Sequence, residues 1–396
     1  MAHSSTPIFS AVSSSARQLL TLLRCIAPAK KAQVLISAQG LRFSTEEGSV
    51  MESFVFLEKH LFTSYTYQPP PPPSSQDDTQ DPLFEINLNS LIETLNIFSL
   101  SDPAATKRPG GGGGMEGYDA LAAHRLNRHA GINPFSTSAA LSSGICSFTY
   151  QAPGHPLSIH MSESGVTTTC DLTTYQADTQ EEIPFARDAL ALKAILRSSY
   201  LLDAVTELGS MSPETLTLTA SSSSHPMRTT TAAHESPCLS LSASGALGSA
   251  TVDFTNPAPS SSTSSTNPPA DASSESPLPP ILETFFCPTP DKRVQARFPF
   301  GLVRSAHRAM AVAQKVSLRL DAEGVLSLQF LIPVMNSGGG GGGGGGVAGR
   351  EADGADENGG GGEAAAAFVD FRIVPLVDGE QDGEVYDEGE TDGDGD

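Results

Sequence analysis

Long apolar runs are missing from this 396-residue chain, so the sequence offers no membrane span and a soluble protein is expected. Cysteine is scarce: Cys25, Cys146, Cys170, Cys238 and Cys287 stand far apart, with no CxxC pair and no secretory leader ahead of them. That usage reads as free thiols in a reducing compartment. Cations are also short, 23 Lys and Arg against 45 Asp and Glu, for a formal net charge of −22. Such a balance argues at first against a nucleic-acid partner. Residues 377–396, however, carry ten of the carboxylates and no base, so nearly half of the excess sits on one acidic tail.

Two catalytic signatures are absent as well. The nine glycines at 338–346 are not followed by Gly-Lys-Ser/Thr, so they read as a flexible loop and not as a phosphate cradle. No GxSxG elbow occurs. Low-complexity stretches at 69–80, 101–141, 221–236, 256–280, 336–366 and 377–396 lack the apolar residues that would offset ordering entropy, and are expected to be disordered inserts and a disordered tail. Each falls between periodic segments, where a surface loop tolerates growth.

The periodic segments are informative. Residues 13–27 place Leu19, Leu22, Leu23 and Ile26 at helical spacing behind a run of serines and ahead of Pro28, which predicts a helix. Val34 and Ile36 alternate with polar neighbours, and Gln39-Gly40 predicts a turn into a second strand. Residues 83–100 alternate at Phe84, Ile86 and Leu88, then switch to helical spacing at Leu91, Ile92 and Leu95. Further on, Leu192, Ile195, Leu196 and Leu202 predict a helix over 192–209, and residues 298–314 a second strand-to-helix element.

The order repeats. Residues 156–175 lie over 315–330 when shifted by 159, with Leu157, Ile159 and Met161 on Val316, Leu318 and Leu320. Residues 41–56 lie over 239–254 when shifted by 198, with Leu41, Phe43, Ser44, Phe54 and Phe56 on Leu239, Leu241, Ser242, Val252 and Phe254. The insert at 101–141 accounts for the unequal shifts. A duplicated strand-rich unit with two helices implies twin α+β domains, at 1–175 and 186–376, joined by a polar, exposed linker at 176–185 and followed by the tail at 377–396.

With "FEINLNSLIETLNIF", "PLSIHMSESGVTTTCDLTTY", the "EEIPF" of the linker and "VSLRLDAEGVLSLQF" in this order, the chain resembles the sliding clamps of the proliferating cell nuclear antigen type. Within them it is most similar to the Rad-one-type subunits of the 9-1-1 DNA-damage checkpoint clamp. The resemblance implies two tandem clamp-type domains with antiparallel sheets outside and helices on the inner face. It also implies one place in a heterotrimeric ring around double-stranded or damaged DNA, with two other checkpoint-clamp subunits, a clamp loader, and checkpoint and repair proteins as partners. A nuclear location follows from it, with no membrane and no cofactor. The subunit edges it implies match Val166, Thr168, Cys170 and Leu172 on one side and Ser249, Thr251 and Asp253 on the other.

A ring that slides needs Lys and Arg on its lining helices and no base-reading contacts. Arg17 and Arg24 form a stripe opposite the buried face of the first helix, extended by Lys30 and Lys31. Lys193 and Arg197 stand four apart in the second copy, and Arg304, Arg308 and Lys315 follow on the last helix with His307 among them. The helix at 88–100 breaks this pattern with Asn89, Glu93 and Asn96. The competing function is a metal-dependent DNA exonuclease, which needs gathered carboxylates. Its one candidate spacing, Asp321-Ala-Glu323, reads as a solvated hairpin turn, and neither His124 with His129 nor His155 with His160 matches a zinc motif.

Overall fold

The computed structural model describes residues 6–27, 29–69, 81–99, 145–163, 166–178, 182–221, 238–256, 280–288, 293–334 and 366–377. The inserts and tail named above lie outside these residues apart from a few at their margins.

The first half runs β1 (Phe9–Ser13), α1 (Ala16–Cys25), β2 (Lys31–Ser37), β3 (Gly40–Glu47), β4 (Met51–Glu58), β5 (Ser64–Tyr67), β6 (Leu83–Asn87), α2 (Leu88–Ser99), β7 (Ile145–Tyr150), β8 (Leu157–Glu163) and β9 (Val166–Leu172). The short β10 (Tyr175–Gln176) follows. The second half runs β11 (Leu190–Arg197), α3 (Ser198–Gly209), β12 (Thr215–Ser221), β13 (Cys238–Gly245), β14 (Gly248–Thr255), β15 (Leu282–Phe286) and β16 (Val294–Pro299). The short helices α4 (Phe300–Ser305) and α5 (His307–Val312) come next, then β17 (Lys315–Asp321), β18 (Leu326–Pro333) and β19 (Ala366–Ile373).

Local chemistry sets these boundaries. Ser15 Oγ accepts from the Gln18 amide at 3.2 Å and caps α1, whose Leu19, Leu20, Leu22 and Leu23 are buried. Asn87 Oδ1 does the same for α2 by accepting from the Ser90 amide at 3.0 Å. The β2–β3 turn requires glycine, because a Cβ on Gly40 would sit 2.3 Å from the Leu57 carbonyl oxygen.

Three sheets result, all antiparallel. The first copy's β5-β1-β7-β8-β9 and the second copy's β14-β13-β12-β16 stand alone. A ten-stranded sheet, β10-β6-β2-β3-β4-β19-β18-β17-β11-β15, joins β10 and four strands of the first copy to five of the second through β4 and β19. Strand for strand, β5-β1-β7-β8-β9 matches β15-β11-β17-β18-β19, and β6-β2-β3-β4 matches β16-β12-β13-β14. The duplication is therefore visible in topology, and both copies keep a strand-helix pair at each of two places.

Three sequence expectations need correction. The helix expected over 192–209 is a strand through Arg197 and a helix only from Ser198, mirroring β1 followed by α1. Leu192, Ala194 and Leu196 face the core at period two. The hairpin at 157–172 is the counterpart of β18 and β19, whereas β17 and β18 match β7 and β8, so the shift of 159 is displaced by one strand. Finally, β3 and β13 align as expected, but Leu57 and Val55 match Phe254 and Val252, since they pair with Leu41 and Phe43 as those do with Leu239 and Leu241. The β13–β14 turn is one residue shorter than the β3–β4 turn, and a one-residue slip exchanges the two faces of a strand.

The helices form one layer. α1 packs on α2, α3 packs on α5, and α1 meets α5 between the copies. Their apolar sides and the inward residues of the sheets build the core, in which Phe43, Phe148, Phe298, Phe330 and Phe371 are fully buried.

Candidate nucleic-acid interface and open sheet edges

Across the helix layer the order is α2, α1, α5, α3, and the cations occupy the middle two. Arg17 on α1 is exposed, as are Arg304, His307 and Arg308 on α4 and α5, where they line an open hollow with Gly301 and Ser305. Arg24 is half-buried and donates from Nη2 to Asn96 Oδ1 of α2 at 2.9 Å. Burial, with the nearby Arg308 charge, lowers its pKa. The flanking helices present the opposite sign or none: Asn89 and Glu93 on α2, Asp203 and Glu207 on α3.

The remaining nominated cations stand elsewhere. Lys193 and Arg197 lie on β11 with Ile195, on the face opposite Leu192, Ala194 and Leu196, so they project from the outer side of the ten-stranded sheet. Lys315 is the cross-strand neighbour of Arg197 on that face and its Nζ binds Glu283 Oε2 at 2.6 Å. Lys31 also points outward and binds Glu85 at 2.7 Å, which raises its pKa. Lys30 is exposed in the turn below α1, where its carbonyl accepts from the Leu88 amide. The period-two environment of β11 separates Lys193 from Arg17 and Arg304; they do not share one wall.

The edges at β9 and β14 have no strand beyond them among the described residues. On β9, Thr168, Cys170 and Leu172 point toward the helix side, and Cys170 Sγ accepts from Thr94 Oγ1 of α2 at 3.4 Å. Val166 shares that face and is 55 % exposed. On β14, Ser249, Thr251 and Asp253 point outward, and the residues on the helix side are Ala250, Val252 and Phe254. Thr168, Cys170 and Leu172 on one edge and Ser249, Thr251 and Asp253 on the other therefore face opposite ways.

Two open edges thus repeat, among the described residues, a joint already closed inside the chain. The family model for "Repair protein Rad1/Rec1/Rad17" matches residues 8–332. The chain belongs to this family. The DNA damage checkpoint control protein rad1 of Schizosaccharomyces pombe is 25% identical over 326 residues, covering 82% of this chain and 81% of that protein. The cell cycle checkpoint protein RAD1 of Mus musculus is 24% identical over 316 residues, covering 80% and 83%. Among solved structures, the proliferating cellular nuclear antigen of Entamoeba histolytica superposes with a TM-score of 0.54 at 12% identity, covering 94% of this chain and all of that one. That of Thermococcus kodakaraensis gives 0.53 at 14%, covering 93% and 100%. These establish the α+β clamp fold.

In this Rad1-family chain the internal joint is held by a charge cluster that sequence reasoning missed. Arg372 of β19 lies opposite Glu52 of β4 and reaches Glu52 at 3.5 Å, Glu182 at 3.4 Å and the Ile183 carbonyl at 2.9 Å. Arg42 bonds Glu182 and Glu52, and both guanidinium groups lie over the Phe54 ring. Burial raises the Glu52 pKa, while the hydrogen bond from Arg42 lowers that of Glu182. Arg319 and Asp370 extend the cluster at 3.8 Å, and Arg319 stacks on Phe185. The linker is thus partly pinned: Ile183 is buried, in contrast to the exposed tether expected. The available signal was Asp370 and Arg372 alternating with Val369, Phe371 and Ile373 in a strand otherwise apolar.

Asp321 is not the solvated turn residue expected. It is buried, and its Oδ1 accepts from the Glu323 and Val325 amides at 3.0 and 2.9 Å while Oδ2 accepts from the Ala186 amide at 3.1 Å. Its oxygens close the β17–β18 turn and anchor the end of the linker. His155 and His160 are exposed, and His160 Nδ1 is 3.1 Å from Thr169 Oγ1. His124 and His129 lie outside the described residues.

Proposed function

We propose that this chain is one subunit of a three-membered DNA-damage checkpoint clamp that closes around duplex DNA. Two other clamp subunits join at β9 and β14, a clamp loader opens the ring, and checkpoint and repair proteins dock on it in the nucleus. The chain divides into its two clamp units at the linker, 176–185, and acts by topology and not by catalysis. The observation that carries this reading is the repeat itself: β4 pairs with β19 inside the chain, while their counterparts β14 and β9 end the sheets unpaired among the described residues. An edge of unpaired amides and carbonyls is completed by another strand. Arg17, Arg24, Arg304 and Arg308 supply the charge that holds phosphates without reading sequence.

Co-expression with the two other clamp subunits, followed by light scattering, tests it. A 1:1:1 assembly retained on circular but not on linear DNA is expected. A chain that purifies alone in the presence of both partners would overturn it. The nuclease reading requires free carboxylates at Asp321, whose oxygens are engaged by three backbone amides.

A further inference from the structure

The internal joint is a template for what the open edges accept. It pairs Val369 with Val55, Asp370 with Phe54, Phe371 with Ser53, Arg372 with Glu52 and Ile373 with Met51. The repeat converts these positions residue by residue. Ile159 pairs with Cys170 as Leu328 pairs with Phe371, so Cys170 stands for Phe371 and Asp171 for Arg372. Leu241 pairs with Val252 as Phe43 pairs with Val55, so Val252 stands for Val55 and Ser249 for Glu52. A joint of the same register would place Thr168 on Val252, Cys170 on Ala250 and Asp171 on Ser249. One step further along, Thr167 meets Asp253.

The conversion keeps the small and apolar inner side but deletes the clamp. Arg372, Glu52 and Arg42 become Asp171, Ser249 and Ser240. Neither β9 nor β14 contains a lysine or arginine, and each carries one exposed carboxylate, Asp171 and Asp253. Asp171 accepts a hydrogen bond from Ser158 Oγ at 2.6 Å, and the other base on this face, His160, is engaged with Thr169. A head-to-tail pair of two copies of this chain would therefore bring carboxylates against Ser and Thr with no cation to answer them.

We infer that both open edges are built for partner strands that carry a Lys or Arg opposite Asp171 and opposite Asp253, and that this charge requirement selects against a second copy of this chain. The inference rests on the ring reading for the existence of partners. Its edge chemistry stands on the internal joint alone. A carboxylate on an otherwise uncharged edge also discourages indiscriminate strand pairing, so one residue type serves both selection and protection.

The test supplies the missing cations to the chain itself. Thr167→Lys with Ser249→Arg keeps both native carboxylates, and sets the introduced lysine against Asp253 and the introduced arginine against Asp171 of the next copy. Sedimentation velocity at micromolar concentration should find the unaltered chain monomeric. The double variant should associate head-to-tail, tightened roughly tenfold by two cross-strand ion pairs per joint. Thr167→Glu with Ser249→Glu should not associate. Both substituted positions are exposed, and circular dichroism checks that each variant folds. A folded cationic variant no tighter than the unaltered chain would overturn the inference, as would an unaltered chain that closes into a stable trimer. A 1:1:1 assembly alongside a failed cationic variant would refute the edge chemistry and leave the ring; the reverse result would refute the ring and leave the edge chemistry.

Discussion

Arg24 of α1 and Arg308 of α5 come from opposite copies of the repeat and stand close enough for the charge of one to lower the pKa of the other. No carboxylate is bonded to Arg308 among the described residues, and Arg24 leans on the neutral Asn96. Two like charges held together at the seam between copies are a cost to the free chain that a phosphate relieves.

In the assembled clamp, Arg24→Ala and Arg308→Ala should therefore each weaken duplex binding for all sequences alike and reduce the salt slope by about one. Lys193→Ala and Arg197→Ala, on the outer face, should leave both quantities unchanged. Fluorescence anisotropy of a labelled duplex across a salt series separates the two groups, and equal losses from both would contradict the placement of the wall.

Arg372 carries the internal joint. Its replacement by Ala leaves Glu52, with a side chain 9% exposed, facing only Arg42 at 3.4 Å. Breaking a buried pair from one side costs about 3–5 kcal/mol, whereas Arg372→Met with Glu52→Gln should cost far less because no charge is stranded. Urea unfolding of the two variants measures the difference. Equal destabilisation would mean that the cluster contributes packing and not charge compensation.

How far the sequence already displays this architecture follows from where periodicity is strong. The switch at Leu88 from alternate to helical spacing marks the β6–α2 junction correctly, and the Leu19, Leu22, Leu23 stripe marks α1. β11 reads as helix because Leu192, Ile195 and Leu196 fit a helical template and the strand passes into α3 without a breaking residue; the polar side chain of Lys193 between Leu192 and Ala194 is the period-two signal. Which face each residue of β14 takes is set by a turn one residue shorter than that of β3–β4, which no residue of β14 betrays by itself. The joint cluster is invisible for a different reason: Arg42, Glu52, Glu182 and Arg372 come together from four separate stretches, and only pairing brings them into contact.

Alkaline pH should unfold the protein through its buried thiols. Burial pushes Cys25 and Cys146 up to about 12 from an unfolded value of 9.0. The unfolded chain ionises both first, so between these values it binds fewer protons than the folded one and stability falls as pH rises, by about 1.4 kcal/mol per pH unit for each thiol. Burial raises the Tyr65 phenol as well, adding in the same direction above its unfolded value of 10.0. Denaturant midpoints recorded from pH 8 upward should bend downward near pH 9, and the bend should shrink in Cys146→Ala. A level profile through pH 10 would show that these thiols reach water.

The three amides held by Asp321 give the last prediction. Asp321→Ala removes the acceptor of the Glu323, Val325 and Ala186 amides together, and leaves the Val325 amide unsatisfied in a buried place and the other two partly buried. An orphaned buried donor costs about 1–3 kcal/mol, so the variant should lose about that much stability through Val325, with smaller losses at the part-buried Ala186 and Glu323. Hydrogen exchange should report it locally, with faster exchange at Ala186 and Val325 and little change in α1. Asp321→Asn retains one acceptor oxygen and should recover part of the loss. Divalent cation should alter neither result, because the carboxylate is a structural acceptor for backbone amides; protection of the Val325 amide that falls in the unaltered chain with added magnesium would instead mean that this carboxylate exchanges its amides for a metal.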